Sequence, residues 1–161
     1  MALEGTIYTI GTSTRSAEDF TRLLTSRDVA VVVDVRRFPF SRFEHFSSEN
    51  FSRFLRHADI DYVHMGEVLG GYRRGGYQAF ITSSEFSEGM DKLIQIADRS
   101  IVALVCAERL PWRCHRRFIG AELEKQGWRV IHIIDEDRDW QSKRTSVGRR
   151  SAPSVSRSKY V

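Results

Sequence analysis

The segment Ile101–Arg116, IVALVCAERLPWRCHR, gathers residue types that can do chemistry. An apolar run ends in Cys106 and Glu108. A short loop holds Pro111, and Cys114-His115-Arg116 opens the next element. Both cysteines of the chain fall in this stretch. A thiol at the carboxyl end of a strand, facing a helix N-terminus and arginines, is the kind whose pKa falls and which then acts as a nucleophile. Cys106 is therefore the candidate nucleophile, with Glu108 and Asp34 as candidate catalytic carboxylates. A carboxylate as close as Glu108 works the other way, because like charge disfavours a thiolate. The competing reading of Cys106 is a small apolar residue closing a core strand. That of Asp34 is a hydrogen-bonded carboxylate holding Arg36 or a turn.

Two kinds of ligand suit these residues. Cys106, Cys114 and His115 could hold a metal such as zinc, with His64 or Glu108 completing four ligands. The spacing C-x7-C-H matches no standard zinc motif, so no cofactor is expected and zinc is the alternative. Arg36, Arg37, Arg116 and Arg117 supply forked guanidiniums, which recognise phosphate or carboxylate. Helix N-termini near Ser13 and Cys114 add backbone N–H groups for an anion. The expected ligand-binding set is Gly11, Thr12, Ser13, Arg36, Arg37, His64, His115 and Arg116. Arg116 and Arg117 are adjacent on a helix and point in different directions. One of the two is expected to face the crevice and the other solvent.

The elements that must position these groups alternate. Thr6–Ile10, Val29–Val35, Ile60–His64, Ile101–Cys106 and Val130–Ile134 have the short apolar runs of strands. Between them, helices are expected from Ser16, over Ser48–Ala58, over Ser84–Asp98 and over His115–Gln126, the last closed by Gly127. Gly66–Gly76 is a glycine-rich loop, a basic lid or an ordinary connection. Strands alternating with helices predict parallel pairing and right-handed crossovers. The expected fold is a three-layer α/β domain with a mainly parallel central sheet of about five strands. Ligands of such folds bind beyond the carboxyl ends of the strands. Gly11, Asp34, His64 and Cys106 all stand at those ends.

Composition bounds the rest. A chain of 161 residues, 41% hydrophobic and 29% charged, suits one globular domain. No window approaches the roughly 20 apolar residues of a membrane span, and the N-terminus lacks the pattern of a signal peptide. The expectation is a cytoplasmic protein with reduced thiols. The net charge of +4 belongs to the C-terminus: six of the 25 basic residues and no acid lie between Gln141 and Val161. Removing them leaves 19 basic against 21 acidic residues. Residues 1–140 are therefore expected to form the domain and 141–161 a flexible basic tail.

Several segments together resemble a known family. They are Thr9-Ile10-Gly11-Thr12-Ser13-Thr14-Arg15, Val33-Asp34-Val35-Arg36 with Phe38-Pro39 and Ser41-Arg42-Phe43, Tyr62-Val63-His64 with Leu69-Gly70-Gly71, and Cys106-Ala107-Glu108 with Cys114-His115-Arg116. This combination resembles the bacterial and archaeal domain-of-unknown-function family four-eight-eight over roughly residues 6 to 136. The resemblance implies an α/β domain and no activity, and it singles out Arg116 as the arginine expected to face the crevice, within reach of Glu108, Asp34 or an anion, with Arg117 left to solvent. The family's first motif usually reads T-I-G-H-S, and here Thr12 stands in place of the histidine. The layout is also similar to rhodanese-like domains, in Asp34-Val35-Arg36 and a cysteine ending a later strand. An arginine six residues after that cysteine, as in a phosphatase-like loop, is replaced by Trp112.

Three functions follow from these residues. One is an enzyme acting on a phosphorylated or otherwise anionic substrate. Another is a nucleic-acid module using the aromatic loop of Phe38, Phe40, Phe43 and Phe46 with the basic loop and tail. The third is a non-catalytic domain with a structural Cys/His segment. The partners are then an anionic small molecule or a nucleic acid and no membrane, with a homodimer if the aromatic loop forms a subunit contact.

Overall fold

The computed structural model describes residues 5–142. The expected tail, from residue 143 onward, lies outside the described residues. Six strands form one sheet in the order β3-β2-β4-β1-β5-β6. They are β1 (Thr6–Gly11), β2 (Val31–Asp34), β3 (Asp61–His64), β4 (Val102–Cys106), β5 (Arg129–Asp135) and β6 (Arg138–Trp140). The first five run parallel, and β6 pairs antiparallel with β5. The central strands β1, β2 and β4 are buried along their whole length, as their unbroken apolar runs require when both faces are covered. The sixth strand was not expected. Arg138-Asp139-Trp140 has no apolar alternation and is exposed throughout. It is held by the β5 ladder and by the Arg27–Asp139 ion pair at 2.7 Å.

Chain direction sets the layers. From β1 to β3 the chain moves one way across the sheet, through helices α1 (Ala17–Thr25) and α2 (Ser48–His57). From β3 through β4 to β5 it moves back, through short helices α3 (Gly66–Leu69) and α4 (Tyr77–Phe80), then α5 (Ser84–Ala97) and α6 (Arg116–Lys125). Right-handed crossovers in opposite directions must place their helices on opposite faces. One core layer accordingly holds Phe20, Leu24, Phe46, Phe51 and Leu55 against Val32 and Val105. The other holds Leu69, Phe86, Met90, Leu93, Ile119 and Leu123 against Val33 and Leu104. Ser16 caps α1 by accepting from the Asp19 N–H at 3.0 Å, and Gly127 takes φ +95° after α6, both as expected. No helix among the described residues is long and apolar enough to cross a membrane.

The four strand ends named from the sequence do share one edge. Gly11 is level with Cys106, and Asp34 is level with both Val105 and His64. The helices that follow β1 and β4, neighbours in the sheet, go to opposite faces. That divergence is what opens a crevice at a sheet's carboxyl edge.

Candidate functional site

Cys106 ends β4 inside the core, only 2% exposed. The chain then turns through a 3-10 turn at Pro111–Arg113, and the cap of that turn is Cys114, half-buried. This loop brings the two sulfurs to 2.6 Å. Cys114 also lies just before α6. The Arg116 backbone N–H points at its sulfur (3.4 Å), and His115 Nδ1 stands 3.6 Å away. His115 Nε2 donates to the Val35 carbonyl at 3.1 Å, which leaves Nδ1 toward the thiol. Gly71 lies against that ring: a Cβ there would stand 3.3 Å from His115 Nδ1.

Charge falls on one sulfur of the pair. The hydrogen bond from Cys106 lowers the Cys114 pKa, outweighing burial, and His115 and Arg116 lower it further. Burial raises the Cys106 pKa, and so does its bond to Cys114. The thiolate therefore sits on Cys114, with Cys106 holding the proton. The sequence pointed to Cys106 because it ends a strand. The loop instead brings Cys114 to the helix N-terminus, where anions are favoured.

Arg116 supplies the counter-charge. Its side chain is fully buried. It donates to Thr9 Oγ1 at 2.9 Å, to the Glu108 carbonyl at 2.7 Å and to the Arg109 carbonyl at 3.4 Å, and its Nε has no partner among the described residues. It reaches Glu108 through the backbone rather than through the expected carboxylate. It lies beneath the crevice and not on its wall, while Arg117 is exposed and lines the crevice. A buried cation without a carboxylate is costly unless another anion balances it. The charge of Arg116 lowers the pKa of both thiols, and negative charge on the pair offsets part of it.

The crevice is a cleft of about 870 Å³, with Cys106, Cys114, His115 and Glu108 on its wall. Among the described residues lining it, four are arginines (Arg36, Arg37, Arg113, Arg117) and one is a carboxylate, Glu108. Arg36 is already engaged, giving two side-chain hydrogen bonds of 2.8 Å to Asp34. Arg37 donates to the Tyr72 carbonyl at 3.3 Å and packs on Phe38, and Arg117 donates to the Trp112 carbonyl at 2.9 Å. The rim is aromatic: Phe38, Phe40 and Tyr72 are 60%, 79% and 85% exposed, and Trp112 is 43% exposed. The phenylalanine loop thus divides its work, since Phe46 lies wholly in the core. The glycine-rich segment is more ordered than a free lid. It contains α3, and Arg73 is tied to the Gly70, Gly66 and Glu67 carbonyls and over the Phe80 ring.

The remaining expected residues lie around this centre rather than in it. Asp34 is fully buried. Both oxygens are occupied by Arg36, whose backbone N–H adds a bond at 3.2 Å, and Tyr62 donates at 2.5 Å. Gly11 packs on the Glu108 carbonyl, where a Cβ would come to 1.9 Å. The Thr12 and Ser13 N–H groups are given to the Cys106 and Ala107 carbonyls, so they brace the loop. His64 Nε2 donates to the Arg36 carbonyl at 2.8 Å, and the residue lines a separate depression of about 750 Å³ with Glu67, Lys92 and Arg99. The candidate zinc trio of Cys106, Cys114 and His115 is adjacent in space. No group of three metal-ligating side chains disposed to hold an ion is found among the described residues.

Sequence reasoning missed His132. It is 4% exposed in β5, level with Thr9 in β1, and its Nδ1 lies 2.6 Å from Thr9 Oγ1. With Arg116 donating to that oxygen, the threonine proton points to His132, which accepts it as a neutral ring. Burial, then Arg116, lowers the His132 pKa to about 3. The signal was present as a histidine within an otherwise apolar strand, level with a threonine.

A family model described as a domain of unknown function, DUF488, matches residues 16–76 and 73–123, together about two-thirds of the chain. No curated protein and no solved structure matches.

Proposed function

The chain belongs to the DUF488 family, and we propose that it is a small thiol-dependent enzyme acting on an anionic substrate held in the arginine-lined cleft. The observation that carries this reading is the 2.6 Å thiol pair on the cleft wall, above a buried arginine with no carboxylate partner among the described residues. Cys114 is the nucleophile. Cys106 keeps the proton that stabilises its neighbour's negative charge. His115, held by the Val35 carbonyl, has Nδ1 available to take a proton from Cys114 or return one to a leaving group. Glu108 is the carboxylate that remains available for proton transfer. Arg37, Arg113 and Arg117 bind the substrate's negative charge, and Phe38, Tyr72 and Trp112 offer flat faces for a planar group.

Alkylation tests this. Iodoacetamide and iodoacetate are compared on the full chain across pH, with each thiol followed by peptide mass. Cys114 is expected to react well below the pH at which free cysteine does, and Cys106 to stay protected. Iodoacetate should gain on iodoacetamide relative to free cysteine, and Arg113→Ala with Arg117→Ala should remove that gain. A Cys114 that stays inert until alkaline pH overturns the reading.

The exposed aromatic rim favours a second reading, in which the substrate is part of a single-stranded nucleic acid whose bases stack on Phe38, Phe40, Tyr72 and Trp112. Binding of a fluorescent oligonucleotide should then fall steeply with salt through counterion release. A small phosphorylated substrate would show a much shallower dependence.

A further inference from the structure

We propose that Cys106 and Cys114 are also a reversible redox couple, a dithiol that exchanges two electrons with low-molecular-weight disulfides. The geometry is nearly that of the bonded state. The sulfurs stand 2.6 Å apart, and a disulfide requires about 2.05 Å, so closure asks for roughly half an ångström of side-chain movement. The pair is also arranged in sequence of attack. Both border the cleft, but Cys114 is half-buried while Cys106, at the end of β4, is only 2% exposed. An incoming disulfide can reach only the first.

The reaction balances with a disulfide RSSR as oxidant. The Cys114 thiolate attacks one sulfur of RSSR, forming a mixed disulfide and expelling RS⁻. Cys106 then gives up its proton and attacks the Cys114 sulfur, expelling a second RS⁻. The proton from Cys106 ends on one of the released thiolates. The protein loses two electrons and RSSR gains them, yielding RSH and RS⁻. Reduction by a thiol is the reverse.

Arg116 tunes this couple. Its buried guanidinium has no carboxylate partner among the described residues and its charge lowers the Cys114 pKa, so the thiolate offsets part of that charge in the dithiol state. Oxidation abolishes that charge and leaves the guanidinium unbalanced. The reduced form is therefore the favoured one, and its disulfide is readily reduced rather than a permanent brace. The cleft's arginines also suit an anionic carrier such as glutathione.

The inference rests on the nucleophile of the proposed function but not on its substrate. The test equilibrates the full chain anaerobically in glutathione buffers of rising oxidised fraction, quenches with acid, alkylates, and maps the peptides. A Cys106–Cys114 link is expected to appear and to disappear again on return to excess reduced glutathione. Cys106→Ala should instead accumulate glutathione on Cys114. Cys114→Ser should leave Cys106 unmodified while folded. Two free thiols in the wild type under fully oxidised glutathione overturn the proposal, as does glutathione that persists on wild-type Cys114 without forming the link. These wild-type outcomes do not depend on either variant folding. If Cys114 alkylates at low pH yet no link forms, the couple fails and the nucleophile stands. If Cys114 is inert to both reagents, both readings fail.

Discussion

Arg116 and Thr9, 107 residues apart in the chain, meet at 2.9 Å beneath the thiol pair. Through the threonine hydroxyl the contact extends to His132 at 2.6 Å, so three elements, α6, β1 and β5, share one buried polar line. One end of that line is a cation beside Cys114, and the other is a ring that must stay neutral. The site is thus built into the sheet rather than laid on its surface.

Arg116→Lys keeps the charge but loses the fork that spans the Thr9 hydroxyl and the Glu108 carbonyl. It should cost on the order of 1–3 kcal/mol of stability, measured by urea denaturation. Arg116→Met removes the charge as well and should raise the alkylation midpoint of Cys114 more than Arg116→Lys does. Identical midpoints in wild type and both variants would show that Arg116 is not the thiolate's counter-charge.

His132 predicts an acid limb. In the unfolded chain an imidazole takes a proton near pH 6.5, but in the fold this one does so only near 3. Between those values the unfolded state binds more protons, so stability falls as pH drops from about 6.5 toward 3 and levels below that. The loss is a few kcal/mol, at about 1.4 kcal/mol per pH unit. His132→Asn retains a polar side chain able to meet Thr9 but does not titrate. The difference in unfolding free energy between wild type and variant should therefore change across this window. A constant difference from pH 7 to 3 would show that the ring is not held neutral.

Gly11→Ala probes the brace under the cysteine loop. The new Cβ would lie 1.9 Å from the Glu108 carbonyl oxygen, a backbone atom in a segment pinned by Arg116. Overpacking of this kind costs about 1–3 kcal/mol or more. The melting temperature should drop, and Cys106 should become open to alkylation as the loop shifts. Gly5→Ala is the contrast: its Cβ meets nothing within 4 Å among the described residues, and its cost comes from its φ of +74°.

Much of the fold was legible because parallel strands covered on both faces leave unbroken apolar runs, as at Val31–Val33 and Val102–Val105. The strand-end rule then placed Gly11, Asp34, His64 and Cys106 at one edge. It could not say which of them face the crevice. Asp34 turns into the core because Arg36 and Tyr62 satisfy it there. His64 is on the edge strand and opens to a different depression. The thiol pair depends on how tightly Ala107–Arg113 turns, and Pro111 and Trp112 do not announce that. β6 was missed because a ladder at the sheet's edge holds it, with no apolar face to mark it.

Asp34 is the last candidate to be separated by experiment. Its two oxygens take three bonds from Arg36 and one from Tyr62, and both Asp34 and Arg36 are buried. Asp34→Asn leaves the Arg36 guanidinium in the core without its charge partner, which costs about 3–5 kcal/mol for a broken buried pair. The expected result is a large loss of stability with the pH profile of Cys114 alkylation unmoved in the protein that remains folded, because nothing in this cluster bonds to either sulfur. Tyr62→Phe should lower stability by about 1 kcal/mol and likewise leave the profile alone. A profile that moves in Asp34→Asn while stability holds would return Asp34 to the chemistry of the site.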